Sequence, residues 1–344
     1  MKTASLVITT CVLALALFAP ALAPGADTPP QPAAKPWVWP LPPEKPRVQY
    51  VQTFITPQDL GVKKGFFAKL WEFIAGEDTV DRILSPHGLV ADGNGKVYVV
   101  DWGAGVIHFF DFEKKKYDQF GKTKLGQKLM SPIGAALDAD GLLYVTDSQL
   151  RRVFVYSGSK NKRVIGNDDL LRPTGLAINK KEKLLYVADT KGHRIDVFDL
   201  EGKKLFSFGK AGTQEGEFNN PTHIAIDAAG DVFVMDTLNF RVQIFDKTGK
   251  FLSTFGGTGT SIHDFIKPKG IAVDSDGNIW VSDSLRNSIQ IFNRQGKLLL
   301  IFGKLGIGPG QFNVPAGLFI DSKDRLYVAD SYNYRVQMLQ YLKQ

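Results

Sequence analysis

The 344-residue chain has a single thiol, Cys11, and that thiol lies in a segment expected to be removed. Residues 1–23, MKTASLVITTCVLALALFAPALA, begin with one lysine, run apolar from Leu6 to Phe18 and end in small residues. That is the layout of a secretory signal, with cleavage after Ala21 or Ala23; an uncleaved anchor is the alternative, since the run is close to the length that spans a bilayer. A lipid-modified Cys11 fits less well, because the cysteine interrupts the apolar run instead of following it. The mature chain is therefore expected to lack disulfides, a thiolate nucleophile and any cysteine metal site. Also missing are a phosphate-binding P-loop, a dinucleotide fingerprint and a serine-nucleophile elbow. No second apolar stretch is long enough to cross a membrane, so the expected location is periplasmic or extracellular.

Proline is scarce in the body of the chain and crowded at its start. Ten of the eighteen prolines fall in residues 20–46. A stretch so rich in proline forms an extended spacer, so residues 24–45 are read as a linker. Within it, Trp37 and Trp39 are apolar anchors for the domain or for a partner.

The body of the chain is a repeat. Six segments align, beginning at Pro86, Pro132, Pro173, Pro221, Pro268 and Pro315, at intervals of 46, 41, 48, 47 and 47 residues. Each has a leading P-x-G-like strand, an Asp/Gly turn, a second strand ending in aspartate, a tight turn, an alternating third strand and a Gly/Lys turn into a fourth. Period-two alternation broken by Gly, Asp and Asn is hairpin chemistry. Four-stranded antiparallel units repeated at this period predict an all-β, six-bladed β-propeller over residues 46–344, with repeats over 85–344. The sixth unit stops after its third strand, so RVQYVQTF (47–54) is expected to supply the missing outer strand and clasp the ring. An insert over 57–84 places Phe67, Leu70, Trp71 and Ile74 at helical spacing and predicts a short helix over 64–75.

The motifs P-x-G-I-A-V-D, L-Y-V-A-D and N-x-R-V-Q-I-F resemble the NHL repeat, whose family forms six-bladed propellers. The resemblance implies that ligands bind on the face carrying the connections into each first strand and the turns between second and third strands. There the residues after each leading proline, His87, Ile133, Thr174, Thr222, Lys269 and Ala316, are expected to ring the channel mouth. Within that family an amidating lyase holds zinc with histidines at such ring positions, which makes a metal-dependent lyase or hydrolase near His87 and His223 the alternative reading. Only His87 matches, however; His223 is one residue out of phase and is expected to point to the other face. A catalytic zinc needs three protein ligands, so no metal, no cofactor and no catalytic residue is assigned. The DADG and DSDG turns lack the rest of a calcium loop and read as hairpin turns.

Asp147, Asp189, Asp236 and Asp330 each precede an arginine by five positions, a repetition that points to structural ion pairs. Variation sits in the turns between second and third strands. The candidate ligand face is accordingly His87, Trp102, Arg151, His193, His223, Phe240, Lys269, Arg286, Tyr332 and Tyr334. The net charge is +7, with much of the lysine in third-to-fourth-strand turns on the opposite face. Such a surface is expected to attract anionic partners, while export argues against a nucleic acid. The expected function is a monomeric, exported, non-catalytic scaffold binding a protein, peptide or polysaccharide, with peripheral association with an envelope complex as a further expectation.

Overall fold

The computed structural model describes residues 36–61, 82–166, 169–259 and 261–343. Six antiparallel sheets follow one another along the chain, five of them built from four consecutive strands. Blade 1 shows the pattern: Pro86–Ala91, Lys96–Asp101, Val106–Asp111 and Lys116–Phe120, with the first strand innermost. The predicted helix over 64–75 lies outside the described residues; of that insert the structure shows a 3-10 turn at Pro57–Leu60 and a buried Ile83.

Blade 6 contributes three strands of its own, and Val48–Phe54 pairs antiparallel with the last of them, Arg335–Tyr341. The register runs from Val48 opposite Tyr341 to Phe54 opposite Val336. Val48 and Phe54 are fully buried, which ties the start of the domain to its end through core packing as well as hydrogen bonds. The proline-rich segment joins this sheet instead of standing off it, since Val38–Trp39 adds a fifth strand. Proline lacks a donor but not an acceptor. The edge pairing includes such acceptors between the prolines, with the Trp37 and Trp39 carbonyls accepting from Tyr50 and Arg47 N–H at 2.9 and 2.7 Å. Trp39 then stacks on Phe302 at 5.4 Å between ring centroids, whereas Trp37 stays exposed.

The apolar core lies between blades. Val97, Val99 and Phe110 of blade 1 pack with Phe54, Tyr327 and Val336 of blade 6, and similar clusters fill the other interfaces. Polar links reinforce them: Thr174 and Thr190 donate to the carbonyls of Thr222 and Pro221 in the next blade at 2.9 and 2.8 Å. Ser331 closes the circle onto the Pro86 carbonyl at 2.6 Å.

At the end of every second strand stands a fully buried aspartate: Asp101, Asp147, Asp189, Asp236, Asp283 and Asp330. Each accepts backbone N–H groups from the connection that precedes its own blade's first strand. Asp101 takes Leu84 and Ser85 at 2.6 and 3.0 Å, and Asp236 takes Asn219 at 2.7 Å. The expected arginine pairs form at Asp189 with Arg194, Asp236 with Arg241 and Asp330 with Arg335, at 3.2, 2.8 and 2.7 Å. In blade 2, Arg152 instead donates to the Arg151 carbonyl. The aspartates of the Asp/Gly turns cap their own hairpins, as Asp138 does for Asp140 and Leu142 N–H at 2.9 and 2.8 Å.

Two outcomes test the clasp and the buried acids. Deleting residues 47–54 removes two fully buried side chains, each worth about 1.5–3 kcal/mol, and lowers the thermal midpoint by roughly 5–10 °C; an unchanged midpoint would overturn the clasp. Asp236→Ala removes the only carboxylate partner of Arg241 among the described residues and leaves the Asn219 N–H unpaired, and denaturant titration should show a loss of about 3–5 kcal/mol.

Candidate functional site

Each innermost strand runs from the connection face, at its proline, toward the Asp/Gly turns. The residue two places after the proline is glycine in five blades, because the strands crowd at the axis. A Cβ at Gly88 would lie 2.3 Å from the Ile133 carbonyl oxygen, and one at Gly317 would lie 2.2 Å from that of His87. Blade 4 differs: His223 occupies this position. Its ladder skips only Thr222 and resumes with His223 opposite Met235, whereas the other five skip two residues before pairing again.

The expectation that His223 points away from His87 is therefore wrong. The two rings stack at 5.6 Å between centroids with 12° between planes. The early return to register in blade 4 re-aims the side chain, which a count of residues from the proline does not capture. His223 Nδ1 lies 3.1 Å from Thr222 Oγ1, which in turn lies 2.5 Å from Thr237 Oγ1. His87 Nδ1 is buried with no hydrogen-bond partner.

Electrostatics keep this pair neutral. Burial first, and then the nearby Lys269 ammonium, pull His87 down to about 4. Burial, His87 and Lys269 together hold His223 well below the usual imidazole range. Lys269 is itself lowered, by burial and by Lys267. Among the described residues, no three His, Cys, Asp or Glu side chains gather closely enough to hold a metal ion.

Beyond His223 the channel widens into a cavity of about 630 Å³. Its walls are small and apolar, including Ala91, Ala136, Ala177, Ala225 and Ala272 with Ile178, Ile226 and Phe319. It extends to the Asp/Gly turns of the opposite face at Asp92, Lys181, Glu182, Asp227 and Asp321. The residues directly after the prolines do not line it, so the His87–Lys269 ring stands between the cavity and the connection face.

The other candidate residues divide into two groups. Arg151, His193, Phe240 and Tyr334 all hold left-handed backbone angles, φ 58, 52, 55 and 56°. Non-glycine residues adopt that conformation at a cost, and two of these four make contacts that bridge blades. Arg151 donates to the Leu170 carbonyl at 2.8 Å, and His193 Nδ1 lies 3.2 Å from the Phe218 carbonyl. Phe240 packs against the core between blades 4 and 5, and Arg286 reaches the carbonyls of Ser261 and Asp264. Trp102, Tyr332 and Tyr334 instead remain exposed, Trp102 donating to Ser131 Oγ at 3.2 Å.

The exposed three belong to a larger apolar collar. Of eighteen exposed large hydrophobic side chains among the described residues, five lie in second-to-third-strand turns: Trp102, Leu238, Leu285, Tyr332 and Tyr334. Seven more lie in the connections into first strands: Leu125, Met130, Leu171, Ile262, Ile266, Leu305 and Ile307. Both loop sets share one face, so twelve of the eighteen lie on it, with Leu125 at 95% and Ile307 at 80% exposure. The connection residues were not picked out from the sequence, although apolar letters within KLGQKLM and KLGIGPGQF are the signal that marks them.

The neutral histidines make a measurable contribution to stability. A histidine whose folded value lies below its unfolded one binds a proton on unfolding, so stability falls as pH drops from the unfolded value near 6.5 toward about 4 and levels off below it. Subtracting the profile of His87→Asn from that of the parent should leave this slope between pH 6.5 and 4; parallel profiles would show that His87 is not held neutral.

Comparisons with known proteins agree with this geometry. The NHL repeat model matches residues 265–292 and 312–338, in blades 5 and 6. The SMP-30/Gluconolactonase/LRE-like region model matches residues 162–258, which include blades 3 and 4. A probable peptidyl-alpha-hydroxyglycine alpha-amidating lyase of Caenorhabditis elegans is 32% identical over 165 residues, 43% of this chain and 43% of that protein. The brain tumor protein of Drosophila melanogaster is 31% identical over 85 residues, 24% of this chain and 8% of that one. The chain thus spans less than half the length of either relative. Among solved structures, a streptogramin B lyase superposes with a TM-score of 0.58 at 13% identity, over 76% of this chain and 94% of that one, a likeness of fold alone. Six blades on one axis, with these matches spread over four of them, make the chain a six-bladed β-propeller that carries NHL repeats and a SMP-30/gluconolactonase/LRE-like region.

Proposed function

We propose that this propeller is a non-catalytic binding scaffold, exported from the cytoplasm, that holds a protein or peptide on its connection face. The carrying observation is the collar: twelve of eighteen exposed large hydrophobic side chains on one face of the domain. Apolar side chains scattered singly need no explanation, but their concentration on one face supports an interaction surface there. Its aliphatic share, Leu125, Ile262, Leu285, Leu305 and Ile307, suits a protein surface better than a glycan. The left-handed residues beneath it support the same reading, since bridging contacts such as those of Arg151 and His193 brace the turns that carry it. The signal-like residues 1–23 support export.

The alternative is a lyase or hydrolase acting at the axis, supported by the stacked His87–His223 pair and by the similarity to an amidating lyase. A zinc site there lacks its third ligand among the described residues, and Lys269 would repel the cation.

Partner capture and metal content separate these readings. Immobilised protein, incubated with an extract of its native envelope, should retain one partner stoichiometrically, and the triple variant Leu305→Ser, Ile307→Ser, Tyr332→Ser should retain at least about tenfold less at an unchanged melting midpoint. That loss corresponds to about 1.4 kcal/mol of binding; equal retention by both would sink the collar. Elemental analysis of the purified chain should find far less than one metal ion per molecule. Stoichiometric metal that disappears in His87→Ala would establish the alternative instead.

A further inference from the structure

Lys269 is the anomaly of the axis. Its position, directly after the leading proline, holds Ile133 in blade 2 and Ala316 in blade 6, so the fold does not require a cation there. It is half-buried, and no carboxylate faces it among the described residues. The contrast with Arg194, Arg241 and Arg335 is sharp, since each of those inward-turned cations meets a buried aspartate within 3.2 Å. Placing a charge in such surroundings without a partner is costly. Beside it, His87 Nδ1 is buried and unpartnered, and the His223 ring lies 5.6 Å from that of His87. An unsatisfied cation on the inner strand of blade 5 and an unsatisfied imidazole nitrogen on that of blade 1, with blade 6 between them, have the same missing complement, a compact anion that accepts hydrogen bonds.

We propose, resting on the collar reading above for the side from which the ligand arrives, that Lys269, His87 and His223 form a carboxylate-binding site at the propeller axis, filled by an acidic side chain of the docked protein. Lys269 pairs with the carboxylate, and His87 donates to one of its oxygens through a ring N–H. The stacked His223 holds the His87 ring in place and is itself oriented by Thr222. A cation is the wrong occupant, because the same lysine already disfavours positive charge on both rings. The apolar collar supplies contact area, and the axial site supplies register, since a partner without a correctly placed acid leaves Lys269 unpaired.

Histidine C2–H resonances of the full chain report directly on this site. Titration with propionate, a mimic of the glutamate side chain, should move the His87 and His223 signals saturably, while isosteric neutral propionamide leaves them in place. Lys269→Ile, which installs the blade 2 residue, should weaken propionate at least about tenfold with the melting midpoint retained; Lys269→Arg, which keeps the charge should the isoleucine variant fail to fold, should hold affinity within a few-fold. Equal shifts with propionamide, or unchanged affinity in Lys269→Ile, would overturn the site. Tighter binding of glucuronate than of propionate would overturn the assignment to a protein acid in favour of a sugar acid. The collar variant Leu305→Ser, Ile307→Ser, Tyr332→Ser should titrate normally, so undiminished partner capture by that variant with an intact propionate response defeats the collar reading alone.

Discussion

The buried aspartate at the end of each second strand is the contact on which the ring depends. A carboxylate with no exposure is tolerable only when its oxygens are fully engaged. Here the connection entering the blade supplies N–H donors, and in three blades an arginine from the third strand adds a charge-assisted bond. The aspartate thus fixes where the chain turns from the face into the innermost strand, and with it the height of the leading proline. The same device acts six times, and in every blade the leading proline stands opposite that blade's aspartate. The glycine two places beyond the proline then lets adjacent inner strands approach to contact distance.

That regularity gives the exceptions their meaning. Blade 4 has a histidine in place of the close-approach glycine, and blade 5 carries a lysine where other blades carry Ile133 or Ala316. Neither change improves the ring as a scaffold: one puts a ring into the channel, and the other a charge into half-buried surroundings. Features that break a local rule without structural gain concentrate at functional sites. The collar follows the same logic from outside, its apolar residues borne on loops that the aspartates hold in position.

Much of this was legible in the sequence because it is periodic. The prolines, aspartates and alternating strands predicted blade number, strand order and the clasp by residues 47–54, and Val48–Phe54 occupies that place. The arginine pairs followed from repetition for blades 3, 4 and 6. Less legible was the division of the candidate face: Arg151 and His193 are tied to the connection of the next blade and Arg286 to that of its own, while Trp102, Tyr332 and Tyr334 stay exposed. Nothing in a turn such as DSQLRR states which backbone carbonyl of the next blade lies within reach. The pairing of Val38–Trp39 was hidden similarly, since a proline-rich composition signals missing donors and is silent on carbonyls that can accept.

The sequence by itself determined the architecture, for strand alternation, turn chemistry and a buried acid are local properties that repetition multiplies. Only the tertiary structure decided the axis. Pro86 and Pro221 are 135 positions apart in the chain, and the meeting of His87 with His223 depends on ring closure and on where one ladder resumes pairing. The unpaired state of Lys269 is likewise a property of what six strands place around it. Such groups acquire their chemistry from neighbours distant in sequence, which is why a motif count found one histidine where the folded ring brings two together beside a lysine.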